Sequence, residues 1–131
     1  MELHLKIIGI ILIALSSIHL VFPKYFNWGK ELASLSLINK QIMYVHTFFI
    51  AMVVFLMGIF CLCSAEDITH TRLGRQLSLG LFIFWCTRLL FQFCVYSPKL
   101  WKGKTFEFTI HILFSLLWTY FSLVFFLVCW G

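Results

Sequence analysis

The sequence predicts an all-α integral membrane protein, folded as an up-down bundle of four transmembrane helices. Of the 131 residues, 62% are hydrophobic and only 11% are charged, and the mean hydropathy is +0.98. A soluble domain carries roughly twice that charged fraction. The apolar residues fall into four runs, each close to the roughly 20 residues that a helix needs to cross a bilayer. Because lipid offers no hydrogen bonds to the backbone, these runs are expected to be helical.

The four predicted helices span about residues 5–22, 42–63, 77–96 and 106–130. Pro23 is expected to end the first helix, because proline cannot continue a helix without losing a backbone hydrogen bond. The fourth run is long enough to cross the bilayer at a tilt. The stretch Glu31–Ile38 is predicted to form a short amphipathic helix at the membrane surface. The connecting segments are short, so residues 1–131 are predicted to form a single transmembrane domain.

The distribution of charge predicts an orientation. Loops 23–41 and 97–105 share six lysines, whereas the opposite side has Lys6, Arg72 and Arg75. By the positive-inside rule, these two loops face the cytoplasm and the N- and C-termini face outward, in what we expect to be a bacterial inner (plasma) membrane. Lysines at helix ends suit anionic lipid headgroups. None of the predicted helices carries a row of basic residues along one face, as binding to a nucleic-acid phosphate backbone would require. The expected partner is therefore the lipid bilayer and not a nucleic acid.

The chain length and the four-helix plan are similar to those of several families of small bacterial membrane proteins, DoxX-like proteins among them. No motif in the chain marks membership of any one of these families, so no family is assigned and no residue roles are carried over.

Polar side chains from all four predicted helices are expected to lie at a similar depth, in the cytoplasmic half of the membrane. They are His19, His46, Arg88, Gln92, Glu107 and His111. At about 1.5 Å per residue, the three histidines, Gln92 and Arg88 lie roughly 5–13 Å inside the same side. Arg88, Gln92 and Tyr96 follow one another at intervals of four residues and so share one helix face. Polar residues inside a membrane cost free energy, so this layer is a candidate functional site.

The first hypothesis is that this layer binds a small polar, anionic or redox-active ligand such as a quinone-like molecule. A permanent charge such as Arg88 costs roughly 2.5–3.5 kcal/mol at the centre of a membrane helix, and it would attract an anionic or carbonyl group. Pockets of this kind combine apolar walls with a few convergent polar groups. The predicted ligand-binding residues are Arg88, Gln92, His19, His46, His111, Glu107, Tyr96, Trp85 and Trp118.

The second hypothesis is a haem- or metal-binding membrane oxidoreductase subunit. Histidine is the commonest metal ligand, so His19, His46, His111 and Glu107 are a candidate first shell for a transition metal. His46 and His111 are alternatively candidate axial ligands of a haem b. The sequence has no HExxH, no pair of E-x-x-H motifs and no C-x-x-C-H. It also lacks a G-x-S-x-G motif, the signature of a serine hydrolase of the α/β type. The sequence therefore neither predicts nor excludes an enzyme.

The third hypothesis is a purely structural role, in a homo-oligomer or as a subunit of a larger membrane complex. Hydrogen bonds between polar side chains on neighbouring membrane helices stabilise a bundle by about 0.6 kcal/mol each. Gly58, Gly74 and Gly80 are expected to allow close helix contacts. A structural role explains Arg88 poorly, because a glutamine would hold helices together at a lower cost.

Overall fold

The computed structural model describes residues 1–94 and 103–131, and within these ranges the chain is almost entirely helical, with no strand. In chain order the helices are α1 (Glu2–Tyr25), α2 (Trp28–Glu31), α3 (Leu37–Cys63), α4 (Ala65–His70), α5 (Arg72–Cys94) and α6 (Thr105–Trp130). Four of these helices, α1, α3, α5 and α6, are long and apolar enough to cross a membrane. The predicted all-α membrane protein with four spanning helices is confirmed.

Large apolar side chains are exposed along each of the four spanning helices. Leu20 in α1, Phe48 in α3, Phe84 in α5 and Leu116 in α6 are examples. A soluble protein rarely exposes apolar surface on this scale, because water penalises it. Lipid tails are as apolar as leucine, so the same surface carries no penalty in a bilayer.

The predicted end of the first helix at Phe22 is wrong, since α1 continues through Pro23 to Tyr25. Proline removes its own N–H but leaves the N–H groups of the residues after it. Phe26 accordingly still donates to the carbonyl of Phe22, at 2.9 Å. Because Pro23 lies in the last turn, the helix loses a single bond near an end that frays in any case.

The predicted amphipathic helix at Glu31–Ile38 is also wrong. The structure has the short α2 at Trp28–Glu31, following Asn27, which adopts the left-handed conformation with φ 53°. Asparagine is one of the few residues that visit this region routinely. Turns lead from α2 to Ser36, whose Oγ accepts a hydrogen bond from the Asn39 N–H at 3.4 Å. This N-cap explains why α3 begins at Leu37, earlier than the predicted residue 42.

The predicted loop over residues 64–76 is mostly helical. It contains α4, and α5 begins at Arg72 rather than at residue 77. Thr71 stabilises the junction between α4 and α5 through two hydrogen bonds. Its Oγ1 donates to the Asp67 carbonyl at 2.7 Å and accepts from the Gly74 N–H at 2.9 Å. A Cβ atom at Gly74 would overlap the backbone of Ile68, so glycine is required there, as expected. The described part of α5 ends at Cys94, and α6 matches its predicted span closely.

The chain divides into two compact units, one of residues Leu3–Ala65 and the other of residues Met1–Glu2 with Glu66–Gly131. In the first unit, α1 and α3 cross at two glycines. A Cβ atom at Gly9 would lie 2.7 Å from the Gly58 carbonyl oxygen, and one at Gly58 would lie 2.8 Å from the Gly9 oxygen. Both distances are too short for a real Cβ, so only glycine allows this approach. The expectation for Gly58 is confirmed, whereas Gly80, in α5, has no neighbouring atom within 4 Å.

In the second unit, α5 and α6 pack against each other in opposite directions. Ring contacts join Phe82 to Phe126, with centroids 5.3 Å apart, and Trp85 to Trp118, with centroids 5.0 Å apart. The residue numbers rise along α5 as they fall along α6, which defines an antiparallel pair. This pairing brings the face of α5 that carries Phe82 and Trp85 against the face of α6 that carries Trp118 and Phe126.

Candidate functional site

The candidate site lies where α5 and α6 face each other. On α5, Trp85, Arg88 and Gln92 are spaced three and four residues apart, which puts them on one face. On α6, His111 and Trp118 are seven residues apart and also share a face. Trp85 is only 3% exposed, Trp118 6% and Gln92 7%. The structure therefore brings these predicted residues together on a buried surface.

Gln92 and His111 form a hydrogen bond between the two helices. The Gln92 Nε2 lies 2.9 Å from the His111 Nδ1. An amide nitrogen can only donate, so Nδ1 accepts, and a neutral ring then carries its proton on Nε2. The Phe93 ring meets the imidazole edge-on, at 5.6 Å between centroids. Together these contacts fix the orientation of the His111 ring.

We expect Gln92 and His111 to be energetically coupled. A double-mutant cycle with Gln92→Leu and His111→Phe should give a coupling free energy of about 0.6–1.7 kcal/mol, the range for hydrogen bonds between membrane helices. The measurement is unfolding in mixed detergent micelles, followed by circular dichroism. The matched control pair is Thr87→Val and Thr109→Val, because each hydroxyl donates to a carbonyl of its own helix. Equal coupling in both cycles would show that the Gln92–His111 bond does not hold the helices together.

Trp118 is the centre of an aromatic group. Its ring stacks on Trp85, with centroids 5.0 Å apart and planes at 17°, and on Phe114, with centroids 5.5 Å apart and planes at 14°. Phe121 meets both indoles edge-on. The Arg88 guanidinium carbon lies 5.3 Å from the centroid of the Trp118 ring. A cation–π contact of this kind contributes about 0.5–2 kcal/mol, so it offsets part of the cost of a charge in the membrane.

Three buried polar atoms of α5 and α6 have no hydrogen-bond partner in the described part of the chain. They are the indole Nε1 of Trp85, the indole Nε1 of Trp118 and the Oγ of Ser122, a residue that is 6% exposed. An indole N–H can only donate. Leaving such a group buried and unsatisfied costs about 1–3 kcal/mol. We call Trp85, Arg88, Trp118 and Ser122 the tryptophan cluster; it combines unsatisfied donors with a permanent positive charge.

The other predicted site residues lie elsewhere or make different contacts. The Nδ1 of His19 donates to the Leu15 carbonyl of its own helix, at 2.8 Å, and its ring packs on Phe22. His46 is exposed on α3, and Glu107 is exposed in the first turn of α6. His19 and His46 belong to the unit Leu3–Ala65, whereas the tryptophan cluster belongs to the other unit. Tyr96 lies outside the described residues.

The described ranges 1–94 and 103–131 contain no preformed set of metal ligands. Neither unit contains a group of three or more His, Cys, Asp or Glu side chains close enough to hold one ion. A transition-metal site built from side chains needs three or four such ligands at about 2 Å. The arrangement of donors in the tryptophan cluster instead suits an oxygen-bearing organic ligand.

Ser122, Phe114 and Phe121 belong to the site but were not among the predicted site residues. Ser122 continues the polar stripe of α6 at helical spacing, four residues after Trp118, so the sequence carries a signal for it. Phe114 and Phe121 are spaced three or four residues from Trp118 but resemble the many other phenylalanines of the chain, which is why they could not be singled out.

No protein-family model, no curated protein and no solved structure matches the chain in sequence or fold comparisons.

Proposed function

We propose that this small integral membrane protein binds an organic ligand with hydrogen-bond-accepting oxygen atoms at the tryptophan cluster. The observation that carries the proposal is the pair of buried indole N–H groups, on Trp85 and Trp118, that lack acceptors in the described part of the chain. A bound carbonyl or carboxylate oxygen would satisfy them. Arg88, which lies over Trp118, supplies a positive charge that favours the same kind of oxygen.

A purely structural role accounts less well for these residues. Phenylalanine would give the same stacking and edge contacts without an N–H group to satisfy, and leucine would replace Arg88 without the cost of a charge in the membrane. Gln92 and His111 differ, since their mutual hydrogen bond is a sufficient structural reason for both. Gln92 lies one helical turn from Arg88, and this spacing supports the proposal that it orients a bound ligand.

Ligand contacts from the remaining predicted residues stay predictions from the sequence alone, and the site proposed at the tryptophan cluster does not include them. These residues are His19, His46, Glu107 and Tyr96. Haem or transition-metal binding stays the alternative function. Elemental analysis of the purified, untagged protein separates the two, because near-stoichiometric iron, copper or zinc would favour the alternative.

Ligand binding is tested by thermal unfolding of the detergent-solubilised protein with two probes, a decyl-substituted benzoquinone and an 18-carbon fatty acid. We expect at least one probe to raise the Tm, since a ligand at 100 times its Kd stabilises the folded state by about 2.7 kcal/mol. Trp118→Phe should lose most of this increase, because it removes one N–H donor and the ring under Arg88. Trp130→Phe is the matched control: this tryptophan is 79% exposed and ends α6. An unchanged Tm with both probes would refute the proposal.

We also propose that the protein lies in a bacterial inner membrane with both termini outward, as the lysines of segments 23–41 and 97–105 indicate. The test is a pair of C-terminal fusions expressed in a bacterium. Alkaline phosphatase folds only outside the cytoplasm, where its disulfides form, whereas green fluorescent protein fluoresces when it stays inside. We expect an active phosphatase fusion and a dark fluorescent fusion. The reverse result would place the C-terminus in the cytoplasm.

A further inference from the structure

The tryptophan cluster lies deep in the spanning helices. Trp85 is near the middle of α5 (Arg72–Cys94), and Trp118 is near the middle of α6 (Thr105–Trp130). At about 1.5 Å per residue, each lies about 20 Å from the first residue of its helix. The hydrocarbon core of a bilayer is about 30 Å thick. The indole N–H groups are therefore expected in the hydrocarbon core and not at headgroup level.

The side chains of the cluster determine which ligand atoms fit. Both indoles are donors only, Ser122 offers a hydroxyl, and Arg88 offers further N–H donors. α5 contains no acidic residue, and the single acid of α6, Glu107, lies in its first turn. The matching ligand presents acceptor oxygens and needs no donor of its own. Carbonyl groups and carboxylates both meet this condition.

Depth separates these two classes of ligand. A carboxylate on a lipid tail is held at the interface by hydration, and moving it to the bilayer centre costs free energy, as it does for an acidic side chain. A neutral molecule with two carbonyl groups on a flat ring partitions into the hydrocarbon core on its own. Phe114, which stacks on Trp118 and is half-buried, offers such a ring an aromatic surface beside the buried indoles.

From these observations we infer that the ligand is a lipophilic quinone, held through its carbonyl oxygens by the indole N–H groups of Trp85 and Trp118. The inference rests on the proposed function and specifies the ligand class of that same site. Phe84, which meets Trp85 edge-on at 4.9 Å between centroids, is exposed along α5. An apolar tail on the quinone lies along such exposed side chains, in the lipid, and needs no groove in the protein.

Both indole nitrogens are buried in this structure. A carbonyl oxygen of the quinone therefore reaches the indole N–H groups only when a covering side chain moves. Arg88 has the longest flexible side chain of the tryptophan cluster, lies over the Trp118 ring and is partly exposed. We therefore expect Arg88 to be the side chain that moves.

The experiment uses the full chain in phosphatidylcholine nanodiscs and two probes that both quench tryptophan fluorescence. One is a decyl-substituted benzoquinone, and the other is an 18-carbon fatty acid with two bromine atoms at mid-chain. We expect saturable quenching by the quinone and only linear, partition-type quenching by the brominated fatty acid. Trp85→Phe should weaken the quinone Kd about tenfold, and Ser122→Ala, which changes the volume little, should weaken it several-fold. Trp130→Phe should leave the Kd unchanged.

The outcomes separate this inference from the proposed function. Saturable quenching by the brominated fatty acid and not by the quinone, with the same sensitivity to Trp85→Phe, would overturn the quinone assignment and leave the proposed ligand site standing. Saturable quinone quenching that is unchanged in Trp85→Phe and in Ser122→Ala would also overturn the inference, since the quinone would be bound elsewhere. An absence of saturable quenching with both probes would overturn both.

Discussion

Replacing Gly58 with leucine is expected to lower the free energy of unfolding by about 3 kcal/mol, the upper end of the usual range for overpacking. At this position even a Cβ atom would lie 2.8 Å from the Gly9 carbonyl oxygen and 3.0 Å from a side-chain carbon of Ile13. Backbone atoms cannot move aside as a flexible side chain can, so α1 and α3 must separate. Separation also loses the close backbone contact that holds membrane helices together.

Gly80→Leu is the matched control for this prediction. Gly80 also lies within a spanning helix, and a Cβ atom there would meet no neighbouring atom within 4 Å. Its replacement should change the free energy of unfolding by at most about 0.5 kcal/mol, or stabilise the helix slightly. Both variants are measured by denaturation in mixed micelles, followed by circular dichroism. Similar effects at Gly58 and Gly80 would show that the crossing of α1 and α3 is not sterically tight.

Arg88→Leu is expected to abolish ligand-dependent stabilisation without lowering the stability of the free protein. Arginine near the centre of a membrane helix costs roughly 2.5–3.5 kcal/mol. Its cation–π contact with Trp118 offsets about 0.5–2 kcal/mol of this cost. Removing both terms should raise the free energy of unfolding by about 0.5–3 kcal/mol, a gain that the loss of the further contact made by Arg88 partly offsets. A residue kept for function at a cost in stability behaves in this way.

The measurement for Arg88→Leu compares two numbers from the same preparation. One is the free energy of unfolding without ligand, and the other is the Tm increase given by the decyl-substituted benzoquinone or the fatty acid. Arg88→Lys is the matched variant, because it keeps the charge and loses the planar guanidinium that lies over the Trp118 ring. If the Arg88→Leu variant is clearly less stable than the unmodified protein but is still stabilised by the ligand, then Arg88 stabilises the fold and does not bind the ligand.

The four spanning helices could be predicted because the signal is large: an apolar run of about 20 residues has few alternatives to a membrane helix. Helix ends depend on single hydrogen bonds, which apolar runs do not reveal. The Ser36 and Thr71 caps set the starts of α3 and α5, and Pro23 sits late enough in α1 to be tolerated. The glycine crossing was only half predicted, since Gly9 becomes distinctive only when Gly58 is known to face it.

Helical spacing predicted that Arg88 and Gln92 share one face of α5 whatever the neighbouring helix does, and contacts with Trp118 and His111 place both on the face that meets α6. Depth along a helix is a weaker guide, since it says nothing about the direction in which a side chain points. His46 illustrates this: it lies in a spanning helix, as predicted, but its side chain is exposed on α3. His19 turns back to its own helix through Leu15. The unsatisfied indole N–H groups have no signal in the sequence, because they depend on what each ring packs against.

NMR of protein labelled with ¹⁵N at tryptophan, in nanodiscs, tests the claim that ligand oxygens accept hydrogen bonds from the indole N–H groups of Trp85 and Trp118. The signals are assigned with Trp85→Phe, Trp118→Phe and Trp130→Phe. On titration with the decyl-substituted benzoquinone or the fatty acid, the indole proton signals of Trp85 and Trp118 should move downfield and saturate, while that of Trp130 stays in place. Signals of Trp85 and Trp118 that do not move with either probe, or that move no more than the signal of Trp130, would contradict the claim.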